Sequence, residues 1–398
     1  MTHHLPALQV IVPLLAAPLC LLLRKPAITR VFAQAVAWSC LTIALLLLAQ
    51  VHDGGVVSYV FGGWTIPWGI EYRVDVVNAY VLVLISFIGA VVLLFGLGSA
   101  GTQIPAGREH LFHALLLLAM AGLLGITITG DVFNIFVFLE ILSLSSYALI
   151  ALGRRRRALT AAYAYLIMGT IAGTFILLGI GLLYQATGTL NMADMIVRLP
   201  ATLDTRTPIL ALGLMTVGLS IKLAVFPLHQ WLPNAYAEAP SVVSAFLAAT
   251  ATKVSYYVLL RVLFGVFGAH FVFGTMHLDA LLVPLALVAM FFGSIAAIYQ
   301  TDLKRVLAYS SVAQVGYMTL AIGFNSLNGL TGGLVHLFNH AVMKGGLFLV
   351  VGCISFSVDS VEVNDLKGLG KRRPWLMIAF LLGGLSLMGV PGTVGFVS

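Results

Sequence analysis

Four ionisable side chains stand inside apolar stretches of this sequence: Glu140, Lys222, Lys253 and Lys344. A charge at bilayer depth costs at least about 2.5–3.5 kcal/mol on insertion scales, so such groups face a bundle interior or water and mark ion or proton paths. Glu140 is the one glutamate of DVFNIFVFLEILSLSSYALIAL, and helical spacing brings Ser143 and Tyr147 onto its face, the polar stripe that a hydrated path needs. The plain alternative is a buried glutamate neutralised by a proton or by a neighbouring helix. Lys222 precedes Pro227 and Pro233 in GLSIKLAVFPLHQWLPNAYAEAP. Proline removes an N–H and clashes with the preceding turn, so the helix breaks at Pro227, and a break at bilayer depth is tolerated where it lines a cavity. A Glu140–Lys222 pair would be a switch, because the spacing of two buried charges decides which of them holds the proton. His229, Trp231 and Glu238 follow and are assigned to the inner membrane interface, with His229 a candidate for proton entry and Trp231 a belt residue.

Lys253 lies in SAFLAATATKVSYYVLLR, among small residues that let helices approach closely. Snorkelling to an interface is the alternative to a buried relay, but each end of its span is about 18 Å away at 1.5 Å per residue, beyond the side chain's reach. His336, His340 and Lys344 recur at i, i+4, i+8 in NGLTGGLVHLFNHAVMKGGLFLVVG, one stripe that drifts by about 80°. Two imidazoles and an amine on one face suit proton hopping. Chelation by His336 and His340 is the rival, weakened by the absence of a nearby carboxylate or cysteine and by the repulsion of Lys344. Lys304 opens TDLKRVLAYSSVAQVGYMTL at the inner edge, as an anchor or a channel residue, with Ser311, Gln314 and Tyr317 continuing a polar side inward.

The elements that must hold these groups are membrane helices. Hydrophobic residues make up 60% of the chain and charged residues 9%, and apolar runs of about 20 residues, each able to cross a bilayer, recur from end to end. Twelve spans are predicted, at 6–24, 31–51, 76–98, 111–129, 131–152, 161–185, 207–227, 241–266, 280–300, 304–324, 327–356 and 374–397. The first lacks a basic leader and a cleavage motif, so a retained helix is expected. With the N-terminus outside, the inner loops hold Arg24, Lys25, Arg30, Arg108, the run Arg154–Arg157, Lys304, Arg305, Lys367, Lys371, Arg372 and Arg373, and the outer ones only Arg73, Arg198, Arg206 and Arg261. That bias follows the positive-inside rule and accounts for the net charge of +7 without nucleic acid. Cys20, Cys40 and Cys353 stand far apart, and no Walker loop, dinucleotide fingerprint or H-E-x-x-H occurs. No metal, cofactor or catalytic residue of redox or hydrolytic chemistry is therefore expected.

The strings VFLEILSLSSYAL, IKLAVFPLHQWLPNAYAEAPS, LKRVLAYSSVAQVGY and HLFNHAVMKGGLF resemble the antiporter-like membrane subunits shared by respiratory complex I, membrane-bound hydrogenases and multisubunit Mrp sodium/proton antiporters, over about residues 70–398. The chain looks most like the D-type member of the Mrp set. The resemblance implies an all-α polytopic membrane protein with inverted five-helix repeats and broken helices: helices 1–3 in 1–105, a first repeat in 106–270 and a second in 271–398. It gives Glu140 and Lys222 the roles of the helix-five glutamate and broken-helix lysine, Lys253 that of the central bridge, and His336, His340 and Lys344 that of a relay to the second half-channel. The second break falls at Pro391, between Gly389 and Gly392. Family members continue past it with a titratable residue and further helices, so the second repeat reads as incomplete, and the 398-residue chain is expected not to sustain normal coupled transport even with its partners. The implied function is a proton-conducting subunit of a monovalent cation (Na+ or K+)/proton antiporter in a bacterial inner membrane, among other membrane subunits. The alternatives are a pumping subunit of a NADH:quinone oxidoreductase or membrane-bound hydrogenase, and a structural subunit that conducts nothing.

Overall fold

The computed structural model describes residues 2–398 apart from Arg24, Ala106 and Asp359; Arg24, assigned above to an inner loop, lies outside the described residues. A backbone in hydrocarbon must satisfy its own polar groups, so the apolar runs become helices. Among the described residues eleven helices are long and apolar enough to cross a membrane, and Pro374–Leu387 is a shorter apolar twelfth. In chain order they are α1 (Leu5–Leu23), α2 (Pro26–Gly54), α3 (Val76–Gln103), α4 (Glu109–Ile128), α5 (Val132–Ala151) and α6 (Arg156–Thr187). A short α7 (Met192–Arg198) precedes α8 (Arg206–Leu223) and its continuation α9 (Trp231–Glu238), then α10 (Ser241–Leu260), α11 (Asp279–Ile298), α12 (Leu303–Gly323) and α13 (Leu327–Val358). The chain closes with α14 (Leu369–Arg372), α15 (Pro374–Leu387) and α16 (Val394–Val397).

Several ends are written locally. Asp131 caps α5 by accepting from the Asn134 N–H at 2.7 Å, Asp302 caps α12 through the Arg305 N–H at 3.1 Å, and Pro26 occupies the first turn of α2. The span predicted at 207–227 is shorter than expected. Helix α8 stops at Leu223, because Ala224 turns left-handed at φ 63° ahead of Pro227. The last predicted span is likewise interrupted: α15 ends at Leu387, and Gly389 (φ 72°) and Gly392 (φ 87°) flank Pro391 before α16 begins.

Helix α10 is the axis of the bundle. Every residue from Ser241 to Leu259 is buried, with α3, α4, α8, α12 and α13 packed around it. Alternating helix direction puts two polar layers at opposite ends. At the end expected to be outer, strands β1 (Val57–Val60) and β2 (Glu71–Val74) form an antiparallel hairpin that the sequence reading did not foresee. The Glu71 carboxylate accepts from Ser58 Oγ at 2.6 Å and Asn191 Nδ2 at 2.9 Å, and its backbone carbonyl from the Gly130 N–H at 2.8 Å. Burial pushes the Tyr72 phenol up to about 12, partly opposed by its bond with Asn134. Arg261 and Asp75 pair at 2.5 Å, tying the end of α10 to the start of α3. At the other end Arg30 pairs with Glu109, Arg305 with Glu238 at 3.3 Å, and Gln103 Nε2 donates to Ser241 and Ser355.

Candidate functional site

Helices α5 and α8 bring the first pair together. Lys222 Nζ lies 3.6 Å from Glu140 Oε1 and donates to Ser143 Oγ at 2.5 Å. The ammonium is buried, but the Glu140 side chain keeps 31% of its surface exposed, so the carboxylate reaches the flank of the bundle beside the exposed Phe133, Val137 and Leu144. On α6, Gly173 makes the room: a Cβ there would lie 2.4 Å from Glu140 Oε1, and one at Gly169 would lie 1.7 Å from the Tyr147 hydroxyl. Both oxygens are buried and lack a hydrogen-bond partner among the described residues. The spacing of Glu140, Ser143 and Tyr147 pointed to this face; the glycines opposite carried no signal, because packing across helices is not written in either helix alone.

The break in α8 is satisfied from within. The carbonyl of Ile221 accepts both from the Ala224 N–H at 3.1 Å and from Trp231 Nε1 at 2.8 Å, and the Trp231 ring stacks on Tyr165 at 4.1 Å. The assignment of Trp231 to an interfacial belt is therefore corrected: at 2% exposure it is a core residue, held inward by its stack on Tyr165 and its bond to the end of α8. His229 is also buried, stacked on Phe226, and its Nδ1 lacks a partner among the described residues. Lys304 is buried rather than splayed at the edge. It donates to the Ala239 carbonyl at 2.8 Å, closing the end of α9, and with Arg154, Arg155, Glu238 and Ser241 it lines a cavity of about 210 Å³.

Beyond the first pair, neither Lys253 nor Lys344 has a carboxylate partner among the described residues. Lys253 is 1% exposed and donates to the Ala248 carbonyl at 2.5 Å and Thr252 Oγ1 at 3.3 Å. His336 and His340 stack with centroids 5.7 Å apart on α13, within electrostatic range of Lys253. Lys344 reaches across to α12, donating to the Leu307 carbonyl at 2.7 Å and to Ser310 Oγ. Sequence reasoning named Ser311 on that helix; its neighbour Ser310 is the partner, a rotation of one residue that only packing decides. Both ring nitrogens of His340 and Nε2 of His336 are buried without a partner among the described residues. Among those residues no group of three or more His, Cys, Asp or Glu is gathered as a metal site. At the second break Asn339 Nδ2 donates to the Val394 carbonyl at 2.8 Å, joining α13 to α16 behind Pro391.

A multi-pass helical membrane protein with two interrupted helices and a row of buried charges is the class that this fold and site define. Residues 129–398 match the family described as NADH:quinone oxidoreductase/Mrp antiporter, TM. The chain is 46% identical over its whole length to the N-type subunit of the NADH-quinone oxidoreductase of Desulforudis audaxviator, covering 79% of that protein. It is 30% identical to the D-type subunit of the Na(+)/H(+) antiporter of Alkalihalophilus pseudofirmus, also across its whole length and 79% of the relative. Among solved structures, the Mrp complex from Dietzia sp. DQ12-45-1b contains a chain matching all of this one and 72% of itself, at TM-score 0.90 and 29% identity. The archaeal membrane-bound sulfane sulfur reductase matches 97% of this chain and 78% of its own, at TM-score 0.89 and 30% identity. The chain belongs to the NADH:quinone oxidoreductase/Mrp antiporter transmembrane family.

Proposed function

We propose that this protein is the proton-conducting membrane subunit of a multisubunit monovalent cation/proton antiporter, working in a bacterial inner membrane with its N-terminus outside. The observation that carries the reading is the Lys222–Glu140 contact of 3.6 Å beside a helix break. A buried ammonium is costly unless paired, and a break beside it lets the distance to its carboxylate change, so the pair holds or releases a proton as it closes or opens. From there Lys253, His340, His336 and Lys344 offer a succession of groups that take up and pass on protons, while Lys304, at the inner cavity, and His229, packed against Phe226 and Phe292, are entry or accessory groups. Helices α4 to α10 form the first repeat in this reading and α11 to α16 belong to the second. Five spans separate the starts of the two, an odd number, so the second repeat enters from the opposite side. Energy comes from the ion gradient, with H+ and Na+ or K+ as the transported species and other membrane subunits as partners.

A second reading, a pumping subunit of a NADH:quinone oxidoreductase-type complex, is favoured by the 46% identity to a subunit so named; the same residues would then carry protons driven by chemistry in other subunits. The test is exchange in vesicles containing the complete complex. Glu140→Ala or Lys222→Ala should abolish proton-driven cation exchange with assembly intact, and full exchange by either variant would end the reading. Proton pumping that follows NADH oxidation, with no cation exchange, would favour the second.

A further inference from the structure

We infer that Tyr256 is a further proton-carrying residue, extending the His340–His336 row toward the outer end of the bundle through internal water. This rests on the relay assigned to α10 and α13 above. The Tyr256 hydroxyl is fully buried and lacks a partner among the described residues, although burying a phenol with no hydrogen bond is costly and buried tyrosines ordinarily find one. Its space is made by a single absence. A Cβ on Gly333 of α13 would lie 2.2 Å from the hydroxyl oxygen, so the tyrosine fits only because that position is glycine. Gly333, His336 and His340 recur at i, i+3, i+7 and share one face, and Tyr256 is three residues beyond Lys253 on α10. Four buried polar atoms without partners thus belong to one helix seam: the Tyr256 hydroxyl, His336 Nε2 and both ring nitrogens of His340. Ordered water is what such seams ordinarily hold. The same device stands at the first pair, where the Tyr147 hydroxyl occupies the notch at Gly169. The step balances without a tyrosinate: the O–H proton passes to a water or imidazole nitrogen on one side while a proton arrives from water on the other.

A packing role and a carrying role predict opposite results. An orphaned hydroxyl that only packs is a burden, so Tyr256→Phe would leave exchange unchanged. A hydroxyl in a water chain makes Tyr256→Phe an assembled complex whose exchange falls at least several-fold. Gly333→Ala supplies the second arm. It should lose exchange through the clash, and the double variant Gly333→Ala, Tyr256→Phe, which keeps only the tighter contact with Ala321 Cβ at 3.1 Å, should be more thermally stable than Gly333→Ala while staying as slow as Tyr256→Phe alone. Wild-type exchange by Tyr256→Phe or by the double variant, or failure of Tyr256→Phe to assemble, would overturn the inference. Lys344→Met, measured alongside, separates the two levels: if it too exchanges normally, the relay itself is wrong, and if it alone is inactive, only the role of Tyr256 is.

Discussion

Glu140 and Lys222 differ in how much each needs the other. Lys222 is buried with Ser143 as its hydrogen-bond partner, whereas Glu140 keeps one flank open. Removing a partner from a buried ion is more damaging than removing both. Glu140→Gln should therefore lower the thermal stability of the complex, and Glu140→Gln with Lys222→Met should recover much of it while restoring no exchange; a double variant less stable than either single one would contradict the pairing. The histidine stripe makes a different demand. Lys344 donates across to α12 and lies beside His340 on the same face, where an ammonium disfavours a metal ion. Exchange should survive chelators and fall sharply in Lys344→Met. Stoichiometric zinc or nickel in the purified complex, lost on replacing His336 and His340 together by alanine, would show a metal site instead.

At the scale of elements, breaks and caps decide where functional groups stand. The indole of Trp231 is a second donor to the Ile221 carbonyl at the α8 break, beside the Ala224 N–H, and Trp231→Phe keeps the stack on Tyr165 but removes that second bond. A loss of about 0.5–1.5 kcal/mol is expected, the net worth of one hydrogen bond, read as a lower unfolding temperature together with reduced exchange; an unchanged protein would mean that the Ala224 N–H alone serves the break. The cap at Asp131 has a pH signature. Burial raises its carboxyl above the ordinary range, against the N–H bonds from Asn134 and Phe133. A carboxyl raised on folding favours the folded state below its unfolded pKa, and that advantage is lost as pH rises through the folded value. Asp131→Asn keeps the acceptor without the charge, so at neutral pH it should be at least as stable as the parent, with the difference shrinking toward pH about 4. Asp131→Ala, which loses the cap, should cost about 1 kcal/mol.

Over the whole molecule, the two polar layers set the topology. The hairpin tip carries Trp68, 82% exposed, at the end where Glu71 and Asp75 gather strands, turns and α10; the arginine run Arg154–Arg157 is exposed at the other. In a background with Cys20, Cys40 and Cys353 replaced, an impermeant maleimide applied from outside should label Trp68→Cys and not Arg155→Cys. The reverse pattern would turn the protein over and, with it, the direction assigned to both half-channels.

How much of this was legible in the chain depends on whether a property is local. Hydropathy over about 20 residues is a sum along one segment, so the order of residues alone sets the helical membrane class, nearly every span and the loop charge bias. The expense of an intramembrane charge is also local, and Glu140, Lys222, Lys253 and Lys344 declared themselves by type and depth. Partners are not local. That Lys222 meets Ser143, that Lys344 selects Ser310 over Ser311, that Trp231 turns inward to serve Ile221, and that Gly169, Gly173 and Gly333 hollow out notches for buried oxygens all depend on the rotation and approach of one helix against another. Helices in a bilayer lack a strong hydrophobic drive toward each other, and close fit and hydrogen bonds between them settle those rotations, so which polar atoms share a path is fixed in the folded bundle and nowhere earlier.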